Sequence, residues 1–221
     1  LGSLSLTGLE GDTKDYGPLA QGCHLRIKNL SGEYAGIDNL SEQMSRLNSN
    51  SIGAMFVEPV VGVSGFYPIP KEHMELFRQF CTKHNILFVV DEVATGFGIT
   101  GTMLGIEYSG ITPDVITISK GVTSGYLPLS ATLVAEHVFE PFLAEGIQFN
   151  HGYTTQGHPV CCAAAIENIK IIQEEELPKN AEHMGNHLRE RLSVLYNYSL
   201  VSNVRGRGLM VGVELKEGYG N

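Results

Sequence analysis

Two charged residues, Asp91 and Lys120, each follow a short apolar segment and stand close to glycine. Asp91 comes after residues 87–90, and Lys120 comes after residues 115–119 and directly before Gly121. Apolar runs of this length that end near glycine indicate buried strands. In a parallel α/β sheet, side chains at the carboxyl ends of strands line the ligand crevice. We therefore expect an acid and an amine to face one ligand from two sides.

Each of these two residues also has an ordinary interpretation when it is taken alone. An aspartate often ends a strand or caps a turn, and most lysines are solvated surface charges. A lysine beside a buried strand can instead be desolvated, which lowers its pKa and makes its amine nucleophilic. The separation of Asp91 and Lys120 suits one intervening crossover. A lysine that forms a Schiff base and an aspartate that pairs with a pyridinium nitrogen are the groups that pyridoxal phosphate chemistry requires.

A third segment, residues 151–159, is a polar loop that leads into a helix beginning at Pro159. Its hydroxyls and backbone N–H groups could hold a phosphate, and an ordinary helix start is the alternative. His151 and His158 have no cysteine or carboxylate at metal-ligand spacing, so we expect no metal site. Residues 205–208 could grip a carboxylate or phosphate, but we favour a turn between two strands with solvated arginines.

The composition excludes several classes of protein. Of the 221 residues 43% are hydrophobic, which is enough for a packed core, and the formal net charge is −9. Because the 15 lysines and arginines are scattered, we expect no nucleic-acid partner. No apolar run is long enough to span a bilayer, so we expect no membrane partner. The cysteines indicate reduced thiols and a cytoplasmic location rather than a disulfide framework: Cys23, Cys81, Cys161 and Cys162.

The pattern of apolar residues predicts an α/β architecture. A strand at 52–60, a helix beginning at Pro70 and a strand at 86–90 form a strand–helix–strand unit, which builds parallel sheets. Further strands are expected at 115–118, 129–134, 199–204 and 209–215, and further helices at 38–48, from Pro159 and from Pro178. We expect residues 1–177 to form a large domain whose sheet is mostly parallel with flanking helices. Residues 178–221 would begin a C-terminal α+β small domain.

Taken together, these residues resemble the class III (omega) aminotransferases, which are pyridoxal-phosphate enzymes of fold type I. The resemblance runs from Leu1 to about Leu215. It is most specific in Glu58-Pro59, residues 91–101, Pro113-Asp114, Ser119-Lys120-Gly121, residues 125–128 and residues 151–165. Residues 1–8 are also similar to the stretch that follows the family's cofactor-stacking aromatic loop.

The resemblance implies a role for each matching residue around pyridoxal 5′-phosphate. Lys120 would form the Schiff base with the cofactor and then carry the proton between the substrate Cα and the cofactor's C4′. Asp91 would keep the pyridine nitrogen protonated, and Val93 would pack against one face of the ring. A paired aspartate and pyridinium each favour the charge of the other, which agrees with these roles.

Further roles implied by the resemblance concern a second subunit. Thr154, with the backbone at Tyr153, would reach the phosphate of the neighbouring subunit's cofactor, so the family implies a homodimer with a shared active site. Glu58 would support the site from behind the residues that touch the cofactor. The implied reaction is a ping-pong transfer of an amino group from an amine or amino acid to a keto acid.

Three positions depart from the pattern of relatives. Ile99 stands where the family usually has arginine, Val63 where the ornithine, acetylornithine and 4-aminobutyrate branches have an acid, and Ala94 where those branches have glutamine. The last two changes favour the branch that acts on amines or on omega- and β-amino acids with pyruvate. A racemase, aminomutase or lyase with the same cofactor would need the same Lys120 and Asp91, so these motifs leave those chemistries open.

Three parts of the family pattern are absent from this sequence. They are the small-residue phosphate cup, the aromatic residue that stacks on the cofactor ring, and the late arginine that binds the substrate carboxylate. We therefore expect these residues to be the central part of a longer enzyme, with a large domain that is incomplete at its N-terminal side. A truncated, non-catalytic homologue is the other alternative.

Overall fold

The computed structural model describes residues 37–63, 65–144 and 146–216. The described residues form eight strands: β1 (Ala54–Val57), β2 (Val60–Val61), β3 (Tyr67–Pro68), β4 (Leu87–Asp91), β5 (Val115–Ile118), β6 (Ala131–Val134), β7 (Val201–Arg207) and β8 (Met210–Leu215). The α-helices are α1 (Ile37–Ser45), α2 (Lys71–His84), α3 (Glu136–Phe139), α4 (Pro159–Glu174) and α5 (Leu177–Leu192). Short 3₁₀ helices include Gly105–Ser109 and Lys120–Thr123.

Two compact units divide the chain between Leu47 and Asn48. In the first unit, α1 begins one residue before the segment predicted as helical and ends three residues earlier, and its Leu40 and Met44 are buried. The resemblance of residues 1–8 to the family falls outside the described residues. The second unit contains all the strands and carries the residues that the sequence predicts for the site.

The central sheet is mostly parallel, as predicted, with strands in the order β1-β4-β5-β6. Strands β1, β4 and β5 run parallel, and β6 is antiparallel at one edge. Helix α2 is the crossover between β1 and β4, and its apolar face is buried at Met74, Phe77 and Cys81. Because β4 is buried at Phe88 and Val90, the strand that ends at Asp91 is fixed inside the core.

Asp114 ties together the end of the sheet where β5 begins. Its Oδ2 accepts hydrogen bonds from the backbone N–H of Phe88 at 2.7 Å and from Nη1 of Arg78 at 2.9 Å. Its own N–H donates to the carbonyl of Phe88, and its carbonyl accepts from the N–H of Ala135. These bonds join the start of β4, the start of β5 and the end of β6 at one end of the sheet.

The C-terminal elements are α5 and an antiparallel hairpin of β7 and β8. Arg205 lies in β7, where its Nη1 is 2.6 Å from Oε2 of Glu214 and its guanidinium is 3.5 Å from the ring centroid of Tyr67. The guanidinium of Arg207 is 4.5 Å from the ring centroid of Tyr108. The interpretation of residues 205–208 as a turn with solvated arginines was therefore wrong, because strand β7 continues through Arg207 and both side chains pack on aromatic rings.

Three of the cysteines lie in the described residues, and all three are free thiols. Cys81 and Cys161 are buried, whereas Cys162 is partly exposed. Burial raises the pKa of the Cys81 thiol to about 11, so this thiol is protonated and unreactive at neutral pH. Among the described residues, no helix is long and apolar enough to cross a membrane. No cluster of three or more potential ligands that could hold a metal occurs in the same residues.

Candidate active site

Asp91 and the turn that begins at Lys120 lie at the carboxyl ends of two adjacent parallel strands, β4 and β5. Asp91 is the last residue of β4 and pairs in register with Thr117 of β5, while Lys120 begins a 3₁₀ helix two residues after β5 ends. Oδ1 of Asp91 accepts the backbone N–H of Val93 at 2.9 Å. Within the described parts of the chain, the second carboxylate oxygen has no hydrogen-bond partner. Asp91 therefore has one oxygen fixed by its own loop and one available to a ligand.

The Lys120 turn packs directly on the loop that follows Asp91. A β-carbon at Gly121 would lie 3.0 Å from Cβ of Phe97 and 3.1 Å from the carbonyl oxygen of Gly96. A side chain at this position would push the two loops apart by a few tenths of an ångström, so glycine suits this close approach. Below the contact, Val122 packs in a buried cluster with Ile118 and with Ala165 of α4. The two loops are therefore in direct contact.

The backbone at Lys120 has a conformation that a residue with a β-carbon seldom adopts. Its φ is 39°, and Phe97 in the facing loop has a φ of 63°. Left-handed conformations of non-glycine residues are costly, and they persist where the surrounding structure holds them, often at functional sites. The side chain of Lys120 is exposed, so its amine can be reached from solution.

Glu58 follows β1, and its carboxylate Oε2 accepts the backbone N–H of Gly62 at 3.2 Å. Burial raises the pKa of Glu58, the hydrogen bond from Gly62 lowers it, the charge of Asp91 raises it further, and the charge of Lys120 lowers it. Glu58 therefore lies within electrostatic range of both residues. The fold thus brings together Glu58, Asp91 and Lys120, which stand at or just after the ends of three different strands.

Glu92 has a structural role that the sequence reasoning missed. Its carboxylate is fully buried and accepts the backbone N–H groups of Gly105 at 2.8 Å and Ile106 at 2.7 Å, as well as the hydroxyl of Thr95. These N–H groups begin the 3₁₀ helix Gly105–Ser109, where a negative charge is favourable. Glu92 therefore closes the loop between residues 93 and 104. The one signal in the sequence is a second acid beside Asp91.

Glu92→Gln is expected to change the pH dependence of stability. Burial raises the pKa of Glu92 above its ordinary value of 4.5, and the hydrogen bonds from Thr95, Ile106 and Gly105 oppose that effect. A raised pKa means that folding favours the protonated carboxyl, so its contribution is full below about pH 4.5 and is lost as the pH rises through the folded pKa. Because glutamine does not titrate, the variant should gain stability relative to the wild type across that range.

A constant offset of about 1 kcal/mol against the variant is expected at every pH, since an amide N–H₂ replaces one accepting oxygen. Denaturant unfolding at a series of pH values measures both effects. Glu107→Gln is the matched control, because it changes an exposed carboxylate that bonds to the N–H of Leu104 on the same 3₁₀ helix. A stability difference that is independent of pH, or that grows against Glu92→Gln as the pH rises, would contradict the prediction.

Tyr153 and Thr154 are both exposed. No hydrogen bond or ion pair joins either side chain to Glu58, Asp91 or Lys120 in the described residues. Tyr153 instead ends a row of edge-to-face aromatic contacts, with centroid separations between 5.1 and 5.8 Å, that runs through Phe142, Phe149, His151 and Tyr153. Tyr153 is 71% exposed, so one side of this aromatic row faces outward. The expected phosphate contact across a subunit boundary stays a prediction.

Two of the positions that depart from the family pattern, Val63 and Ala94, lie in segments that meet near Glu58. Val63 is 81% exposed, and Ile99 is 38% exposed. A β-carbon at Gly62 would lie 3.5 Å from Oε2 of Glu58 and 4.0 Å from Cβ of Ala94. The loop that carries Val63 therefore adjoins both Glu58 and the segment after Asp91. Val93 begins that segment and is partly buried, and its N–H is bound to Asp91.

Glycines in the loop after Asp91 serve close packing against α5. The spacing of Gly96, Gly98 and Gly101 also matches the G-x-G-x-x-G pattern of dinucleotide-binding loops. In such loops the glycines open a helix, whereas here residues 93–100 form turns. A β-carbon at Gly98 would lie 3.3 Å from Pro178, and one at Gly101 would lie 3.0 Å from Glu182. The pattern in this chain is therefore explained by packing.

Comparison with known proteins shows the family to which the chain belongs. The family model for class III aminotransferases matches residues 5–220. The uncharacterized aminotransferase y4uB of Sinorhizobium fredii is 41% identical over 96% of this chain and 49% of its own length. The omega-amino acid–pyruvate aminotransferase of Pseudomonas putida is 31% identical over 97% of this chain and 52% of its own length.

A solved structure is similar over nearly the whole chain. The amine transaminase of an uncultivated Pseudomonas species, in a pyridoxal-phosphate-bound form, matches with a TM-score of 0.88 and 36% identity, covering 96% of this chain and 51% of its own. The chain belongs to the class III aminotransferases, a family of transferases with the fold type I architecture. It spans about half the length of the curated relatives described here.

Class III aminotransferases use pyridoxal 5′-phosphate, and the donor set of this chain fits that group. Lys120 offers an exposed amine, and Asp91 offers a carboxylate oxygen that no described residue occupies. The two lie at neighbouring strand ends, as an aldehyde and a ring nitrogen on one small molecule would require. The expected cofactor and the observed side chains are therefore chemically compatible.

Proposed function

We propose that the protein containing these residues transfers an amino group from an amine or an omega- or β-amino acid to a keto acid such as pyruvate, by a ping-pong mechanism. The observation that carries the proposal is the placement of Asp91 and Lys120 at adjacent strand ends, with Glu58 within electrostatic range of both. The cofactor, when bound, supplies a ring that accepts electrons from the substrate carbon. The exposed Val63, in place of an acid, supports the amine and omega-amino acid branch.

The side chains take distinct roles in this proposal. Nζ of Lys120 would hold the cofactor by condensing with its aldehyde with loss of water, and the same amine, once free, would carry a proton on and off the substrate carbon. The free oxygen of Asp91 would hold a proton on the ring nitrogen, since its other oxygen is fixed by the N–H of Val93. Val93 would pack against the ring. Glu58 acts on the site electrostatically without contacting the reacting atoms: its negative charge would favour the ammonium of Lys120 and oppose the carboxylate of Asp91.

A homodimer with a shared site is part of the same proposal. Large apolar side chains are exposed along residues 139–166, among them Phe149, Tyr153 and Ile166. Exposed apolar area on this scale is typical of an interface. A second copy covering this surface would bring Thr154 and the backbone at Tyr153 to the phosphate of the other subunit's cofactor. The domain boundary near residue 178 and the cytoplasmic location stay predictions.

Borohydride reduction tests the proposal directly. The native polypeptide that carries this sequence is incubated with pyridoxal 5′-phosphate, reduced, digested and analysed by peptide mass spectrometry. We expect a pyridoxyl adduct on Lys120 at close to one per chain. Folded protein that remains unmodified at Lys120 in excess cofactor would refute the proposal.

Steady-state kinetics then test the reaction class. With β-alanine or a primary amine as donor, we expect alanine to accumulate only when pyruvate is present, with parallel lines in double-reciprocal plots. A racemase, aminomutase or lyase would consume the donor without pyruvate, and that result would replace the amino-transfer assignment.

A further inference from the structure

Asn168 of α4 makes three hydrogen bonds to the turn that carries Lys120. Its Nδ2 donates to the carbonyl oxygens of Gly121 at 2.9 Å and Val122 at 3.0 Å. Its Oδ1 accepts the hydroxyl of Ser124 at 2.6 Å. The amide nitrogen and the amide oxygen of one side chain therefore bond to three residues of a single turn.

One of the three bonds supplies a helix-end carbonyl: the oxygen of Val122 accepts from Asn168, whereas that of Gly121 also accepts the backbone N–H of Ser124. The last carbonyl groups of a helix have no partner within it, and side chains from elsewhere often satisfy them. The turn Lys120–Thr123 ends with Ser124 in the left-handed region, at a φ of 48°, and begins with Lys120 at 39°. The turn is therefore bounded by two unfavourable backbone conformations, and Asn168 bonds the residues between and beside them.

The other contacts of the turn do not replace those of Asn168. Oγ of Ser119 and Oγ1 of Thr123 donate to the carbonyls of Leu129 and Leu127, which lie on the exit from the same turn. Asn168 bonds the turn instead to α4, whose Ala165 is buried one helical turn earlier in the core cluster with Val122. The position of the turn is thus fixed relative to α4.

We propose that Asn168 is a positioning residue that holds the Lys120 turn in its left-handed conformation and so sets the direction of the Lys120 amine. The part of the inference that concerns the Lys120 amine rests on the proposed function. The part that concerns the conformation of the turn rests on the hydrogen bonds alone. Asn168 is expected to touch neither cofactor nor substrate.

The test uses Asn168→Ala and Asn168→Asp in the native polypeptide, with Ser124→Ala as a milder variant. Asn168→Asp replaces the donating amide by a carboxylate that faces two carbonyl oxygens. Asn180→Asp is the matched control, because it makes the same chemical change at an exposed position on α5. Ser124 is also exposed, so its removal takes away one bond without opening the core.

Amide hydrogen exchange without cofactor is the first measurement. In both Asn168 variants we expect exchange across residues 119–126 to accelerate at least about tenfold, the effect of losing a hydrogen bond or more, with a smaller increase in Ser124→Ala. Exchange elsewhere, and the whole of Asn180→Asp, should match the wild type. Exchange at 119–126 that is unchanged, or that rises uniformly over the protein, would overturn the inference.

The second measurement is the pH dependence of borohydride-trapped adduct formation at Lys120, with pyridoxal 5′-phosphate as the probe. A changed direction of the amine relative to Asp91 and Glu58 should shift the pH midpoint in the Asn168 variants, which a general loss of stability would not do. An unchanged midpoint would overturn the inference. If the wild type itself gives no adduct, the proposed function fails, while hydrogen exchange still decides whether Asn168 holds the turn.

Discussion

Lys120→Ala and Lys120→Arg are both expected to eliminate the borohydride-stable adduct and to lower the rate of amino transfer by about 10²–10⁴-fold or more. Alanine removes the amine that both bonds to the cofactor and moves the substrate proton. Arginine keeps a positive charge, but its guanidinium does not lose a proton in proteins and so cannot act as the nucleophile. If Lys120→Arg keeps the positive charge but is inactive, the residue is needed as a nucleophile and not only as a charge. Adduct mapping and single-turnover kinetics measure the two effects.

Lys83→Ala provides the control, since Lys83 is an exposed lysine in the last turn of α2. It should keep both the adduct at Lys120 and the rate of the wild type. An adduct that moves to another lysine in Lys120→Ala with undiminished turnover would show that Lys120 is not the reacting amine. Equal residual turnover in Lys120→Arg and the wild type would contradict the covalent role.

Gly185→Ala is expected to destabilise the fold by about 1–3 kcal/mol or more, although the same change inside a helix ordinarily stabilises by about 1 kcal/mol. The sign reverses because a β-carbon at Gly185 would lie 1.9 Å from the carbonyl oxygen of Gly208 and 2.8 Å from its Cα. Both atoms belong to the backbone, so no side chain can rotate away. Helix α5 must therefore move away from the β7–β8 hairpin. Denaturant unfolding measures the loss.

Gly53→Ala is the matched control because no atom lies within 4 Å of the β-carbon that it would add. Its stability should stay within about 0.5 kcal/mol of the wild type, as for most surface substitutions. If Gly185→Ala proved as stable as Gly53→Ala, the close contact between α5 and Gly208 would not exist in solution. The control also removes the general entropic effect of replacing glycine.

Much of the sheet could be predicted because its strands are continuous apolar runs. Residues 115–118 were predicted as a strand and form β5, and residues 86–90 nearly coincide with β4. The charged residues that follow these runs were then placed at one edge by the rules of parallel sheets. The 3₁₀ helix at Lys120 was not predicted, because a helix of four residues is too short to show a periodic pattern of apolar residues.

Other features could not be predicted because they depend on contacts between distant residues. Glu92 looks like any acid near a turn until Gly105 and Ile106 are brought to it. Arg205 is followed by Gly206 and Gly208, which indicate a turn, yet Glu214 and Tyr67 provide partners that keep Arg205 in a strand. Side-chain partners of this kind leave no local pattern in the sequence.

The junction between the loop after Asp91 and the C-terminal hairpin has a consequence for folding on the ribosome. The N–H of Leu209 donates to the carbonyl of Ile99 at 2.9 Å, and a β-carbon at Gly208 would lie 2.3 Å from the same oxygen. Residues near Leu209 are synthesised long after Ile99, and contacts of such sequence separation form late. In the nascent chain, the loop after Asp91 therefore lacks these contacts at Ile99 until the hairpin emerges.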